Sequence, residues 1–239
     1  MEVAEIKKSV KKYWDKRSRS YDSSPGHADM PEVWKSLLSR VFDKKGRILD
    51  VGTGTGFLAL LLSELGHEVV GIDISIGMLE KARSKSREVQ FKLGDAENLP
   101  FTDESFDGVV CRHVLWTLPD PEKAVSEWYR VTKPDGKVVI IDGSYKKDAI
   151  DKVKSFVGKL GIAIIERRNP WGAGYAKKLP MRNVSAERCV RLLRECGFKE
   201  VRVHDISWIR EIVLKRRSFF YRLAWNSKSY FVLEALKEV

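Results

Sequence analysis

Three stretches of this 239-residue chain pair residue types with spacings that chemistry can use. In the first, a short apolar run, Arg47 to Val51, enters the cluster Asp50-Val51-Gly52-Thr53-Gly54-Thr55-Gly56. Glycine serves where backbone must approach a ligand closely or take a positive φ. A strand, a glycine loop and a helix in succession form a general cofactor site at the carboxyl edge of a parallel sheet. In the second, Asp73 closes the run Glu68 to Ile72, 19 residues after Gly54. A carboxylate there can accept hydrogen bonds from both hydroxyls of a ribose, or can cap the following helix. The third is Gly94-Asp95-Ala96-Glu97-Asn98-Leu99-Pro100-Phe101, after the run Val89 to Leu93, where a carboxylate could accept an adenine amino group. A dinucleotide loop more often reads GxGxxG; here the third glycine comes one residue early, which counts against a dehydrogenase.

A fourth stretch, Cys111-Arg112-His113-Val114-Leu115-Trp116, ends another apolar run, Phe106 to Arg112. His113 could act as a general base near neutral pH, or be a satisfied structural histidine. Cys111 reads as a small packed residue, and Trp116 as a wall of a pocket. The spacings of Cys111, Cys189 and Cys196 match neither a disulfide framework nor a zinc site. They fit a reduced, cytoplasmic protein, and no metal site is expected.

The elements that must position these residues follow from periodicity. Helices are expected over Val3–Ser20, Met30–Phe42, Phe57–Leu65, Gly77–Ser86, Pro121–Val131 and Ala149–Leu160, with another capped by Ser185 and ended near Gly197. Strands are expected at Arg47–Val51, Glu68–Ile72, Val89–Leu93, Phe106–Arg112 and Lys137–Ile141, then at Glu200–Asp205 and Ser207–Leu214. Such alternation implies an α/β fold with a parallel sheet and right-handed crossovers. Acids and bases balance over residues 1–150, so the whole net charge of +11 falls in 151–239. That basic third could attract nucleic acid, anionic lipid or an acidic small molecule, or be solvated surface.

The ordered set of the glycine loop, Gly71-Ile72-Asp73-Ile74-Ser75 and the Gly94–Phe101 stretch resembles the class I S-adenosylmethionine-dependent methyltransferases. Phe106-Asp107-Gly108-Val109-Val110 and Lys133-Pro134-Asp135-Gly136 extend the match over about residues 13–145. The branch it is most similar to includes the ubiquinone and menaquinone biosynthesis methyltransferases. The resemblance implies a three-layer, Rossmann-like, seven-stranded sheet, mostly parallel with an antiparallel last strand. It implies S-adenosylmethionine as cofactor and S-adenosylhomocysteine as product. Asp50, Gly52, Thr53, Gly54 and Gly56 would then line the methionine portion and the sulfonium. Asp73 would hold the ribose, with Ile74 and Met78 near the adenosine, and Asp95 and Ala96 would contact the adenine. Arg112 would meet the cofactor carboxylate or the substrate. Tyr13 to Asp22 resembles the family's entry segment, so Tyr21, and after it Tyr13, is expected to cover the cofactor; Tyr21 or His113 could accept a proton.

By the same likeness the chain is one domain. Residues 1–45 form a helical cap, 46–145 the cofactor core, 146–184 a lid, 185–214 the end of the sheet, and 215–239 a basic, aromatic helix. Trp171, Tyr175, Leu179, Pro180 and Met181 of the lid suit an organic substrate, with Tyr13 and Trp116 also facing it. Lys177, Lys178 and Arg182 could favour an acidic one. The last segment could lie on an anionic membrane, form a dimer contact or pack on the domain. No Asp/Asn-Pro-Pro-aromatic motif and no Pro-Cys nucleophile occur, which argues against methylation of nucleic-acid bases. The expectation is methyl transfer to a small organic acceptor, quinone-like or acidic, by a monomer or homodimer. A tRNA or rRNA methyltransferase and a cofactor-binding regulator are the alternatives.

Overall fold

The glycine loop follows β1 (Arg47–Val51), a central strand of a seven-stranded sheet. The computed structural model describes residues 3–23, 27–144, 149–165, 179–224 and 229–238. Its other strands are β2 (Glu68–Asp73), β3 (Gln90–Leu93), β4 (Phe106–Arg112), β5 (Thr132–Ser144), β6 (Val201–Asp205) and β7 (Ser229–Leu236). They are ordered β3-β2-β1-β4-β5-β7-β6. The first five are parallel, and β7 runs antiparallel between β5 and β6. This is the Rossmann-like layering expected from the sequence.

Helices cover both faces: α1 (Val3–Arg17), α2 (Pro31–Val41), α3 (Phe57–Glu64), α4 (Ile76–Lys85), α5 (Pro121–Val131), α6 (Ala149–Ile164), α7 (Ala186–Glu195), α8 (Ser207–Lys215) and α9 (Phe219–Ala224). Successive strand residues point to opposite faces. In β1, Leu49 and Val51 join one core with Trp128 of α5 and Leu193 of α7. Ile48 joins the other, with Trp34 of α2 and Leu62 of α3. Burial on both faces is why these strands read as unbroken apolar runs rather than as alternation. Asp120 and Ser185 start α5 and α7 by accepting from the amides of Lys123 (3.0 Å) and Arg188 (3.4 Å).

Two expectations are corrected near the C-terminus. Ser207–Leu214 is not a strand but lies in helix α8. Asp205 accepts from the Ser207 amide (2.8 Å) and hydroxyl, turning the chain, and the buried Ile209 and Val213 sit four apart on one helical face. Residues 215–239 do not form one helix. Short α9 is followed by β7, whose Phe231, Leu233 and Ala235 enter one core while Tyr230 and Val232 enter the other. The aromatic residues Tyr230 and Phe231 are therefore core, not a membrane-facing surface.

Candidate functional site

The loop between β1 and α3 has glycine where the backbone demands it. Gly52 has φ of 65°, and a Cβ there would lie 2.4 Å from Val114 Cγ2. Gly54 has φ of 57° and leaves open room beneath the ring of Tyr21. The Thr53 amide donates to the Ile72 carbonyl (2.8 Å) and its hydroxyl to Asp50 (2.6 Å), fixing the loop against β2. One Asp73 oxygen accepts from the Gly54 amide (2.9 Å) and the other from the Ser75 amide (2.8 Å). Asp73 thus joins the glycine loop to the start of α4. Burial raises its pKa to about 6 and that of Asp50 to about 7; the donors around each carboxylate lower it only in part.

α1 and the turn after it lie along this edge. Lys7 reaches Asp95 (2.6 Å) and the buried Glu97 (2.5 Å). Burial works to lower the Lys7 pKa, but the two carboxylates outweigh it and the net shift is upward. Glu97 also accepts from the Asp120 amide (2.8 Å). Asp15 accepts from the Ser75 hydroxyl (2.7 Å) and the Gly77 amide (3.1 Å). Asp22 pairs with Lys85 (2.7 Å) and accepts from the Thr55 hydroxyl. Between these ties, Trp14 meets Tyr21 and Trp116 edge-on, both with centroids 5.9 Å apart, and Tyr21 lies against His27 at 4.2 Å. Burial first, then the charge of Arg112, holds His27 neutral with a pKa of about 2.

At the end of β4, the Arg112 guanidinium sits over Trp34 (5.1 Å) and Phe57 (4.7 Å). Its Nη2 donates to the His27 carbonyl. Its Nη1 is buried and has no hydrogen-bond partner among the described residues. His113 follows with φ of 60°, rare for a residue with a side chain. Its Nδ1 is 3.0 Å from the fully buried Asp142, and its Nε2 is 3.1 Å from the Tyr230 hydroxyl. These partners fit the neutral tautomer with the proton on Nδ1, Tyr230 donating to Nε2. The rings of His113 and Tyr230 lie nearly parallel, 5.5 Å apart.

These groups frame a cleft with about 700 Å³ of open space, its solvent mouth included. It gathers Tyr21, Gly52, Gly54, Asp73, Ile74, Met78, Asp95, Ala96, Arg112 and His113 of the expected residues. Asp50 and Thr53 line a smaller adjoining recess shared with Gly52, Tyr21 and Arg112. Gly56 is elsewhere: its φ of 84° starts α3, and a Cβ would press on Phe91 and Ala82. Tyr13 packs on Trp14 behind the cleft, and Trp116 reaches it only through Trp14. Trp171 and Tyr175, with Lys177 and Lys178, lie outside the described residues. Leu179 and Met181 are buried, Met181 within a main core. Lys7, Val10, Trp14, Glu97, Val114 and Leu118 were not foreseen on the lining, nor Asp142 and Tyr230 behind His113.

A family model described as a methyltransferase domain matches residues 49–140. Demethylmenaquinone methyltransferase of Renibacterium salmoninarum is 41% identical over 99 residues, 41% of this chain and 42% of that protein. The matched stretch thus spans less than half of that relative. Demethylmenaquinone methyltransferase of Lactobacillus johnsonii is 34% identical over 171 residues, 64% of this chain and 68% of that protein. Among solved structures, Haemonchus contortus phosphoethanolamine N-methyltransferase 2, bound to phosphomonomethylethanolamine and S-adenosylhomocysteine, has a TM-score of 0.69 at 22% identity. It covers 98% of this chain and 60% of that one, a likeness of fold. With the glycine loop, Asp73 and Asp95 gathered on one sheet edge, the chain belongs to the class I S-adenosylmethionine-dependent methyltransferase family, near its menaquinone branch.

Proposed function

We propose that the protein transfers a methyl group from S-adenosylmethionine to a small organic acceptor, quinone-like in its flat, apolar character. The observation that carries the donor assignment is Arg112. A buried guanidinium with one nitrogen lacking a hydrogen-bond partner among the described residues is costly. It is stacked beside Asp50 and Gly52 in the recess where the methionine carboxylate of the donor would lie. Gly52 and Gly54 leave the backbone open to the sulfonium side, Asp73 offers acceptors to the ribose, and Met78 and Ile74 flank the adenosine. Asp95 and Ala96 stand at the adenine end. Bound there, S-adenosylmethionine supplies an electrophilic methyl group and leaves as S-adenosylhomocysteine. In-line displacement asks of the chain mainly alignment and exclusion of water.

Trp14, Tyr21, Val10, Val114 and Leu118 offer a flat, apolar bed for the acceptor, as the names of the demethylmenaquinone relatives suggest. Tyr21 keeps its phenol proton, because burial raises its pKa despite the charge of Arg112. It covers the loop as a neutral ring. His113 is the better base: Asp142 orients it, and movement of the Tyr230 hydroxyl frees Nε2. The three free cysteines suit a cytoplasmic enzyme. Among the described residues no helix is long and apolar enough to cross a membrane.

Calorimetry with S-adenosylhomocysteine tests the donor: micromolar binding is expected, and no heat from folded protein at millimolar ligand would overturn the assignment. Transfer of labelled methyl to short-chain demethylated naphthoquinones tests the acceptor. In that assay His113→Gln is expected to lower kcat on the order of a hundredfold, with S-adenosylhomocysteine affinity unchanged. Unaltered kcat would remove His113 as base and leave it a structural residue.

A further inference from the structure

Helix α6 is turned inside out. Its buried face carries Asp151, Ser155 and Gly158 beside Ile162. The reason is α9, which packs there so closely that a Cβ on Gly158 would lie 2.4 Å from the Ala224 amide nitrogen, and one on Gly161 2.2 Å from Phe220. Ser155 donates to the Ala224 carbonyl (2.9 Å). Small and polar residues form the notch, so the large apolar ones face outward. Ile150, Val153, Phe156, Val157, Leu160 and Ile164 are each between 43% and 66% exposed. At about 100° per residue they fall within one arc of about 120°. Lys152 and Lys159 border that arc on one side and Lys154 on the other. The one acid of the helix, Asp151, is on the buried face.

We propose that this face of α6 docks the protein on an anionic lipid surface. Apolar side chains in a single stripe with lysines along both borders suit a helix lying in the plane of a membrane, the lysine stems reaching out to phosphates. A contiguous apolar face of this kind is uncommon on a surface that meets only water. Charge selects lipid over a second copy. Two such helices meeting face to face would oppose their lysines with no carboxylate in either stripe to answer them, within a chain third that holds the entire net +11. α6 also begins shortly after β5 ends at Ser144, the sheet edge that carries Arg112 and His113. Docking there would set the cleft close to the bilayer. The contact goes beyond the transfer reaction and stands whichever acceptor is methylated.

Cosedimentation with vesicles tests it on the full chain. Vesicles of equal parts phosphatidylglycerol and phosphatidylcholine are expected to bind the protein at least about tenfold more tightly than phosphatidylcholine alone, less so as salt rises. Val153→Asp with Phe156→Asp is expected to weaken that binding by about tenfold or more, with S-adenosylhomocysteine affinity and Tm retained. Phe156→Trp supplies a direct reading: the indole emission it adds to that of the wild type shifts to the blue and is quenched by brominated lipid. Wild-type protein that stays in the supernatant, a double variant that binds as well, or added indole emission unmoved by vesicles would overturn the proposal. So would a stable dimer that the double variant splits without any vesicle binding by the wild type.

Discussion

Replacing Asp73 with Ala is expected to weaken S-adenosylhomocysteine binding on the order of a hundredfold or more. Each hydrogen bond to an ionised group contributes roughly 1.5–3 kcal/mol, and about 1.4 kcal/mol is a factor of ten. Asp73 would accept from two ribose hydroxyls while it already holds the Gly54 and Ser75 amides. Calorimetry reads the loss. Asp15→Ala separates the two roles: it loosens Ser75 and Gly77 from α1 without touching the ribose, and should cost far less affinity. Equal losses would mean that Asp73 acts only by shaping the loop. Acidity gives a second reading. The folded carboxyl, raised to about 6 by burial, is ionised above that pH. Affinity should be flat above about pH 6 and fall as pH drops below it, by up to about tenfold per unit. Asp73→Asn should bind weakly with no such slope.

Asp50→Asn is expected to make the ligand-free protein more stable, most of all above pH 7. Asp50 is 2% exposed, and burial raises its pKa from 3.8 to about 7, against the pull of Thr53. The unfolded chain releases this proton near 3.8, while the folded chain keeps it to about 7. Between those values the folded state binds more protons, so stability falls as pH rises, and the penalty is complete above 7. At roughly 1.4 kcal/mol per unit it reaches about 4 kcal/mol as an upper figure. An amide carries no such cost and can still exchange a hydrogen bond with Thr53. Thermal unfolding should show Tm raised by roughly 10 °C at pH 8, with the gap closing as pH falls toward 4. Below about pH 6.5 the neutral His27 opposes the trend in both proteins, since the unfolded chain then takes up a proton that the folded one refuses. Affinity for the ligand should drop in the same variant, because Asp50 lines the methionine recess. A variant no more stable at pH 8 than the wild type would show that the carboxylate is better solvated than its burial implies.

The first five strands and the cofactor edge were legible because local rules act together there. Apolar runs bounded by Gly, Asp and Pro state where each strand ends, and in a parallel sheet the strand ends are the site. The C-terminal part was not legible. Buried on both faces, Tyr230 to Leu236 lacks the alternation that marks a strand, and Ser207 to Leu214 is rich in residues that strands favour. The partners of His113 lie 29 and 117 residues away, and nothing local announces Asp142 or Tyr230. Lys7 and Glu97 meet only when α1 docks. The choice of Tyr13 over Trp14 failed on phase: Lys7, Val10 and Trp14 recur every three or four residues and share the helical face that lines the cleft. That signal was present in the sequence.

Lys7, Asp15 and Asp22 sew the first stretch of the chain across the cleft at three points. The donor therefore enters and its spent form departs through a seam, and the seam is mostly electrostatic. Such ties loosen as ions accumulate around them, while the apolar bed beneath is indifferent to salt. Ionic strength thus acts on this enzyme as a throttle on traffic rather than on chemistry. Where release of the spent donor limits turnover, a more saline medium makes the catalyst faster and its grip looser together.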